Sequence, residues 1–309
     1  MLAGVLLYFS MRGVDWRHVW QTIRTAEWLF IAGAVGLTML SFFLRAMRWR
    51  ILLNAETRFS VGTVFWANSA GYLGNNFLPA RAGELIRSFL ISSRSSLSRT
   101  YVLTTALGER LMDVIALVLA SSLVLMGLEA KPRWMSDLSR TMAFIATAGA
   151  IAVTVMPHTG RLVENVLQRL PLPERFRTGL LRLAEQILLG LRAFHDWRRF
   201  AGFVFLTVVI WTSDCVGAIT VAHALGIAMS FQVALLLLTA IGLSSGLPST
   251  PGYVGIFQFV AVTVLTPFGI AKDSALAYIL VVQAIGYLVV VAFGLPALFR
   301  LQATRRAVA

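Results

Sequence analysis

Several stretches of this chain are apolar for long enough to cross a bilayer as a helix, and that property restricts everything else the chain can do. Trp28 to Leu44, Val102 to Leu128, Thr141 to Met156, Phe200 to Ala222 and Ala275 to Phe299 each reach or approach the necessary length, roughly 20 residues with a range of about 17 to 25. In hydrocarbon the backbone must satisfy its own hydrogen bonds, which leaves helices or closed barrels, and unbroken apolar runs of this length specify helices. Composition agrees: 58% of the 309 residues are hydrophobic and 13% charged, against about 25% charged in soluble domains. An ordinary soluble enzyme is excluded. Met1 to Met11 is too short to cross unaided and lacks the basic flank and small-residue cleavage site of a removable signal. It reads as a shortened first helix.

Two further apolar segments are interrupted in the same way. Val61 to Phe77 runs into Leu78-Pro79-Ala80-Arg81-Ala82-Gly83-Glu84 and then a second apolar piece ending near Ile91. Phe231 to Gly246 runs into Leu247-Pro248-Ser249-Thr250-Pro251-Gly252-Tyr253 and then a piece, containing Gly255, that ends near Leu265. Proline removes a backbone donor and glycine permits a tight turn, so each break is where a helix stops and restarts. The expected fold is an all-α polytopic membrane protein: about six spanning helices plus two re-entrant helical hairpins.

Arginine placement orients the chain. Of 27 basic side chains only Lys131 and Lys272 are lysines, and the formal net charge is +13. In so apolar a chain this excess reads as loops facing anionic lipid, not as nucleic-acid binding. Pro157 to Arg199 carries Arg161, Arg169, Arg175, Arg177, Arg182, Arg192, Arg198 and Arg199, which places it in the cytoplasm by the positive-inside rule. Counting spans puts Arg81 to Arg99 inside and, if the first hairpin returns to its own side, Arg45, Arg48, Arg50 and Arg58 too. Arg300, Arg305 and Arg306 put the C-terminus inside. Three crossings separate the hairpins, so they enter from opposite faces. That is an inverted repeat within one domain, 1–309, with halves about 28–128 and 200–299 joined through 157–199. Inverted repeats with interrupted helices are a common transporter plan. Within the joining segment, Leu180, Leu181, Ala184, Ile187, Leu188, Leu191 and Phe194 fall at helical spacing; this describes either a helix on the lipid surface or one packed under the bundle.

Charges inside such segments are costly and end up paired or in wet cavities. Arg81, Glu84 and Arg87 follow the first break at three-residue steps, so Glu84 can pair with one arginine and leave the other for an anion. Glu109 and Asp113 lie four apart on one helix face, with Arg110 beside them, and can receive Arg81 or Arg87. These residues form either a phosphate-binding basic pocket, for which guanidinium is well shaped, or an ion-pair network pinning a re-entrant loop. Asp214, roughly 20 Å into its span at 1.5 Å per residue, is either a proton or cation relay or a neutral, hydrogen-bonded acid. Asn76 and Gln258 stand beside the two breaks, where their amides can satisfy freed backbone groups. Cys215 is the single cysteine, His18, His158, His195 and His223 are scattered, and no phosphate-cradling glycine loop appears. No metal, cofactor or nucleotide site is expected.

Four ordered motifs carry a family resemblance: Arg45-x-x-Arg48-Trp49-x-x-Leu52-Leu53, Asn76-x-Leu78-Pro79-x-Arg81-x-Gly83-Glu84-x-x-Arg87, Glu109-Arg110-x-x-Asp113, and Pro248-x-x-Pro251-Gly252-x-x-Gly255-x-Phe257. Together they resemble the lysylphosphatidylglycerol synthase transmembrane-region family of flippase-like proteins, over about Leu2 to Arg300. The resemblance implies a multi-pass protein of the bacterial inner membrane that moves a phospholipid, glycolipid or polyprenyl-phosphate-linked sugar. Taken with the charge pattern, the expectation is that Arg81 and Arg87 contact the head-group phosphate, positioned by Glu84, Glu109, Arg110 and Asp113. No aminoacyl-transfer domain follows Arg306, so enzymatic activity is not expected, and Gln258 stands where many relatives carry a glutamate. The rival readings are a non-transporting membrane partner of an envelope-synthesis enzyme and an ion-coupled transporter of small solutes.

Overall fold

The computed structural model describes residues 2–78, 82–127, 133–155, 174–245 and 251–306, and all regular structure among them is helical. In chain order the helices are α1 (Leu2–Met11), α2 (Trp16–Arg24), α3 (Trp28–Leu53), α4 (Val61–Phe77), α5 (Gly83–Ser92), α6 (Arg99–Gly127), α7 (Arg133–Val155), α8 (Glu174–Arg192), α9 (Trp197–Ala224), α10 (Phe231–Ser244), α11 (Ile256–Leu265) and α12 (Lys272–Arg306). Four of them are long and apolar enough to cross a membrane: α3, α6, α9 and the Lys272–Arg300 part of α12. The chain is therefore an all-α, multi-pass membrane protein. The expected Thr141 to Met156 span falls in α7, whose apolar stretch is the shorter Arg140–Ile151. Pro79, Arg81 and Pro248, with residues 156–173 of the basic segment, lie outside the described residues.

One expected boundary is corrected. The first long span does not stop at Leu44, before the arginines; α3 continues to Leu53, and Arg48 is fully buried. Small residues explain the depth of that burial. Gly33 faces Thr220, Gly217 faces Leu37 and Gly202 faces Ile51, so α3 and α9 run antiparallel in close contact along their length. The guanidiniums of α3 are thereby held against α9.

Both interrupted segments are present as helix, break, helix. In the first, α4 and α5 lie antiparallel. Gly71 packs against Arg87, Gly74 against Gly83 and Ile86, and a Cβ on Gly83 would collide with the Gly71 carbonyl oxygen. Glycine at these positions lets two backbones touch, as small residues do between membrane helices. The second is α10, a short 3-10 turn at Pro251–Tyr253, and α11. Among its described residues, Gly252 (72°), Tyr253 (60°) and Gly255 (92°) take positive φ. The turn packs on α4, bringing the second break against the first hairpin, and α12 packs along both hairpins.

The amphipathic segment, α8, does more than cover the bundle from below. Gly190 packs against Thr104 and Phe194 against Gly108 of α6, while Ser98 donates to Gln186 (2.5 Å). Leu188, Leu191 and Phe194 are buried, and Leu180 and Leu183 at the other end are exposed. Of the two readings, packing under the bundle holds for the C-terminal half of the helix.

Candidate functional site

Where α3, α5, α6 and α9 converge, four arginines and four carboxylates form one chain of ion pairs. Arg48 is its hub. All five guanidinium N–H groups have partners: Glu109 Oε1 (3.2 and 2.9 Å), Asp113 Oδ1 (2.6 Å) and Oδ2 (2.8 Å), and Thr207 Oγ1 (3.0 Å). Glu109 passes the chain on through Oε2 to Arg87 (3.1 Å), whose Nε donates to Glu84 (2.5 Å). Glu84 in turn accepts from Arg110 Nε (3.1 Å) and Asn75 (3.3 Å). On the other side, Arg45 lies 3.8 Å from Asp113 and 2.6 Å from Asp214. Trp211 Nε1 donates to Asp113 (3.0 Å).

Each arginine also lies over an aromatic ring: Arg45 over Trp211 (4.8 Å), Arg48 over Phe203 (4.9 Å), Arg87 over Trp49 (4.5 Å) and Arg110 over Tyr72 (5.1 Å). Flat, delocalised guanidinium combines bidentate pairing with ring stacking in a way that lysine does not. Four positive and four negative groups cancel, so the cluster sits in an apolar surround without net charge. Breaking such a buried pair by removing one partner costs about 3–5 kcal/mol.

Of the residues expected at the site, Glu84, Arg87, Glu109, Arg110, Asp113 and Asp214 come together here. Two assignments are revised. Arg87, expected as a phosphate contact, is 2% exposed, and it also donates to Asn68 (2.9 Å) and the Ala106 carbonyl (3.2 Å). Its guanidinium is committed to protein partners. Arg110, expected only to position others, is the more open member, 22% exposed at its side chain. Its Nη1 lies 4.0 Å from Asp113. Asp214 lies 2.6 Å from Arg45, at the edge of the network. Asn76 bonds back to the Tyr72 carbonyl of its own helix, and Asn75 is the amide that meets Glu84.

Arg45 and Arg48 are the members that reading the sequence placed at a cytoplasmic surface. A charge count held the signal that places them in the interior. Glu84, Glu109, Asp113 and Asp214 in apolar segments need four cations, more than Arg81, Arg87 and Arg110 supply, and Arg45 and Arg48 are among the arginines that end an apolar run.

Arg110 and Asp113 open onto a cavity of about 90 Å³ shared with Trp211, Thr239 and Leu243. Asp214 and Ser213 border a separate cavity of about 170 Å³ between α3, α9, α10 and α12. The second hairpin is built without charge. Gln258 Oε1 accepts the Gly255 N–H (2.7 Å), Gln258 Nε2 donates to Gln283 Oε1 (2.5 Å), and Gln283 (3.1 Å) and Tyr287 (2.6 Å) both donate to the Gly252 carbonyl. Gln258 thus does what its position beside the break implied. Among the described residues no group of three or more histidine, cysteine, aspartate or glutamate side chains is placed to hold a metal.

A buried charge network between closely packed helices, with two interrupted segments touching, belongs to a helical, multi-pass membrane protein. The chain belongs to the lysylphosphatidylglycerol synthase transmembrane-region family, whose profile matches residues 1–294. It is 24% identical over 287 residues to the protein named glycosyltransferase AglD of Haloferax volcanii, covering 81% of this chain and 45% of that protein. It is 23% identical over 310 residues to a UPF0104 membrane protein of Pyrococcus horikoshii, covering 93% of this chain and 92% of the relative. The chain therefore spans less than half of the glycosyltransferase it matches. No solved structure matches it.

Proposed function

We propose that this protein binds a phosphate-bearing lipid (a phospholipid, a glycolipid or a polyprenyl-phosphate-linked sugar) and moves its head group across the bacterial inner membrane. The observation that carries this reading is Arg110: it is tied to the network through Nε, and its side chain, partly exposed, lines a cavity. A guanidinium fixed on one edge and open on the other is prepared to take a phosphate oxygen pair without rearrangement. The network is neutral only with Arg110 counted, so the arriving anion would compete with Glu84 for Arg110 and leave the Arg48 hub in place. The two interrupted segments, in contact through α4 and the Pro251–Tyr253 turn, would be the elements that open to either side in turn. In this reading they are re-entrant hairpins of opposite orientation, the C-terminus is cytoplasmic, and the chain itself is not an enzyme.

The test is lipid movement in vesicles reconstituted with the purified protein. Fluorescent phospholipid should exchange leaflets faster with wild type than with Arg110→Ala, the variant falling to near the protein-free rate. Equal rates for the two would remove the assignment.

A second reading draws on the glycosyltransferase match. The chain would serve as the membrane platform of an envelope glycan or lipid synthesis enzyme and hold the lipid acceptor without flipping it. Co-purification with such an enzyme in stoichiometric amount, together with no leaflet exchange, would favour it.

A further inference from the structure

The small cavity at Arg110 has an apolar neighbour. Between α6, α7, α10 and α11 lies a cavity of about 250 Å³, lined by such residues as Val118, Leu125, Met142, Val260 and Thr263. Thr239 and Leu243 line both cavities, so the two adjoin at one stretch of α10. The polar atoms at that junction are engaged elsewhere: Thr239 Oγ1 donates to the Leu235 carbonyl (2.8 Å) and accepts from Ser121 Oγ (2.5 Å). The larger cavity therefore offers hydrocarbon, not hydrogen bonds. An apolar cavity of this kind stays dry and accepts apolar guests.

A cation-edged cleft next to an apolar chamber has the polarity pattern of a lipid: charge at one end, hydrocarbon at the other. We propose that the chamber between α6, α7, α10 and α11 holds one hydrocarbon chain of a lipid whose phosphate sits at Arg110. This rests on the functional reading above and adds to it where the chain lies. The occupant is a hydrocarbon chain attached to a phosphate group, from either a diacyl phospholipid or a polyprenyl phosphate. Two of the walls, α10 and α11, are the arms of the second interrupted segment. A chain lodged between them would couple head-group binding at the first hairpin's network to the position of the second.

The experiment is photolabelling of the full-length protein in phosphatidylcholine vesicles, with two probes in separate arms. One is phosphatidylglycerol with a diazirine at the end of an acyl chain; the other is polyprenyl phosphate with a diazirine on the prenyl chain. With at least one probe, adducts should concentrate on Val118, Val260 and Thr263, and the arm that labels identifies the source. Val260→Trp, which fills the chamber, should lower adducts at Thr263 at least fivefold and leave those on the lipid-facing Phe205 and Leu288 unchanged. Arg110→Ala should lower the same chamber adducts by a similar factor. Adducts spread evenly over Phe144, Phe205 and Leu288, with no enrichment in the chamber of the wild type, mean annular lipid only and overturn the proposal whether or not the Trp variant folds. Chamber labelling that Arg110→Ala leaves untouched would also overturn it, because the two cavities would then not share a ligand. Chamber labelling without leaflet exchange would keep the chain site and discard translocation; exchange without chamber labelling would do the reverse.

Discussion

The two interrupted segments share a leucine-proline break followed by glycine, yet they are held together by opposite chemistry. The first is fastened by charge: Glu84 and Arg87 of α5 bond to each other and on to Glu109 and Arg110 of α6. The second is fastened by neutral amides and a phenol, with Gln258, Gln283 and Tyr287 gathered around the Gly252 carbonyl. In a low-dielectric interior an ion pair is strong while complete and costly once broken, whereas a neutral hydrogen bond is modest in both respects. The first segment is therefore the more firmly specified of the two, and the second can change partners at lower cost. If one hairpin moves during transport, the comparison points to the second.

The sharpest break of this contrast is Arg48→Met. It strips Glu109 and Asp113 of their shared cation at a site with no solvent to replace it, and should destabilise the protein by about 3–5 kcal/mol, read as a large drop in thermal midpoint in detergent. Adding Asp113→Asn to the same chain should recover part of that loss, because the double variant leaves three cations against three carboxylates and Glu109 keeps Arg87; no recovery would mean that the hub contributes packing more than charge. Gly83→Ala comes next. Its methyl group falls on the Gly71 carbonyl and Asn75, so α4 and α5 must part, at about 1–3 kcal/mol as for other overpacked sites.

Gln258→Leu should cost less, about 1–2 kcal/mol, since it leaves one backbone N–H and one amide oxygen short of partners. A loss as large as that of Arg48→Met would erase the distinction between the two hairpins. Arg110→Ala should cost less than Arg48→Met, because Glu84 keeps Arg87 and the Arg110 side chain is partly open. That variant should separate stability from function: a near-normal midpoint with lost lipid exchange. A midpoint as low as that of Arg48→Met would make Arg110 a structural member of the network.

Much of this was legible along the chain. Apolar length gave the all-helical, multi-pass class, and the two proline-glycine breaks marked where α4 and α10 end. Glu84, Arg87, Glu109, Arg110 and Asp113 were recognisable as a group because charge in an apolar run needs partners. The roles within the group were not legible. Which arginine is sealed and which faces a cavity depends on where Asn68, Ala106 and Tyr72 come to lie. Those are relations between helices, which periodicity along one helix does not contain.

Arg45 and Arg48 show the same division most clearly. Local sequence, an apolar run ending in arginines, describes a helix leaving the membrane for a basic cytoplasmic surface. The tertiary structure overrides this, because α9 packs against α3 through Gly33, Gly202 and Gly217 and α6 presents two carboxylates at the same level. The sequence by itself determined that the protein is helical, membrane-embedded and interrupted twice, since a backbone in hydrocarbon has so few ways to satisfy itself. Only the assembled helices decided which charges cancel and which guanidinium is left facing open space, because pairing is set by distance in three dimensions and not by position in the chain.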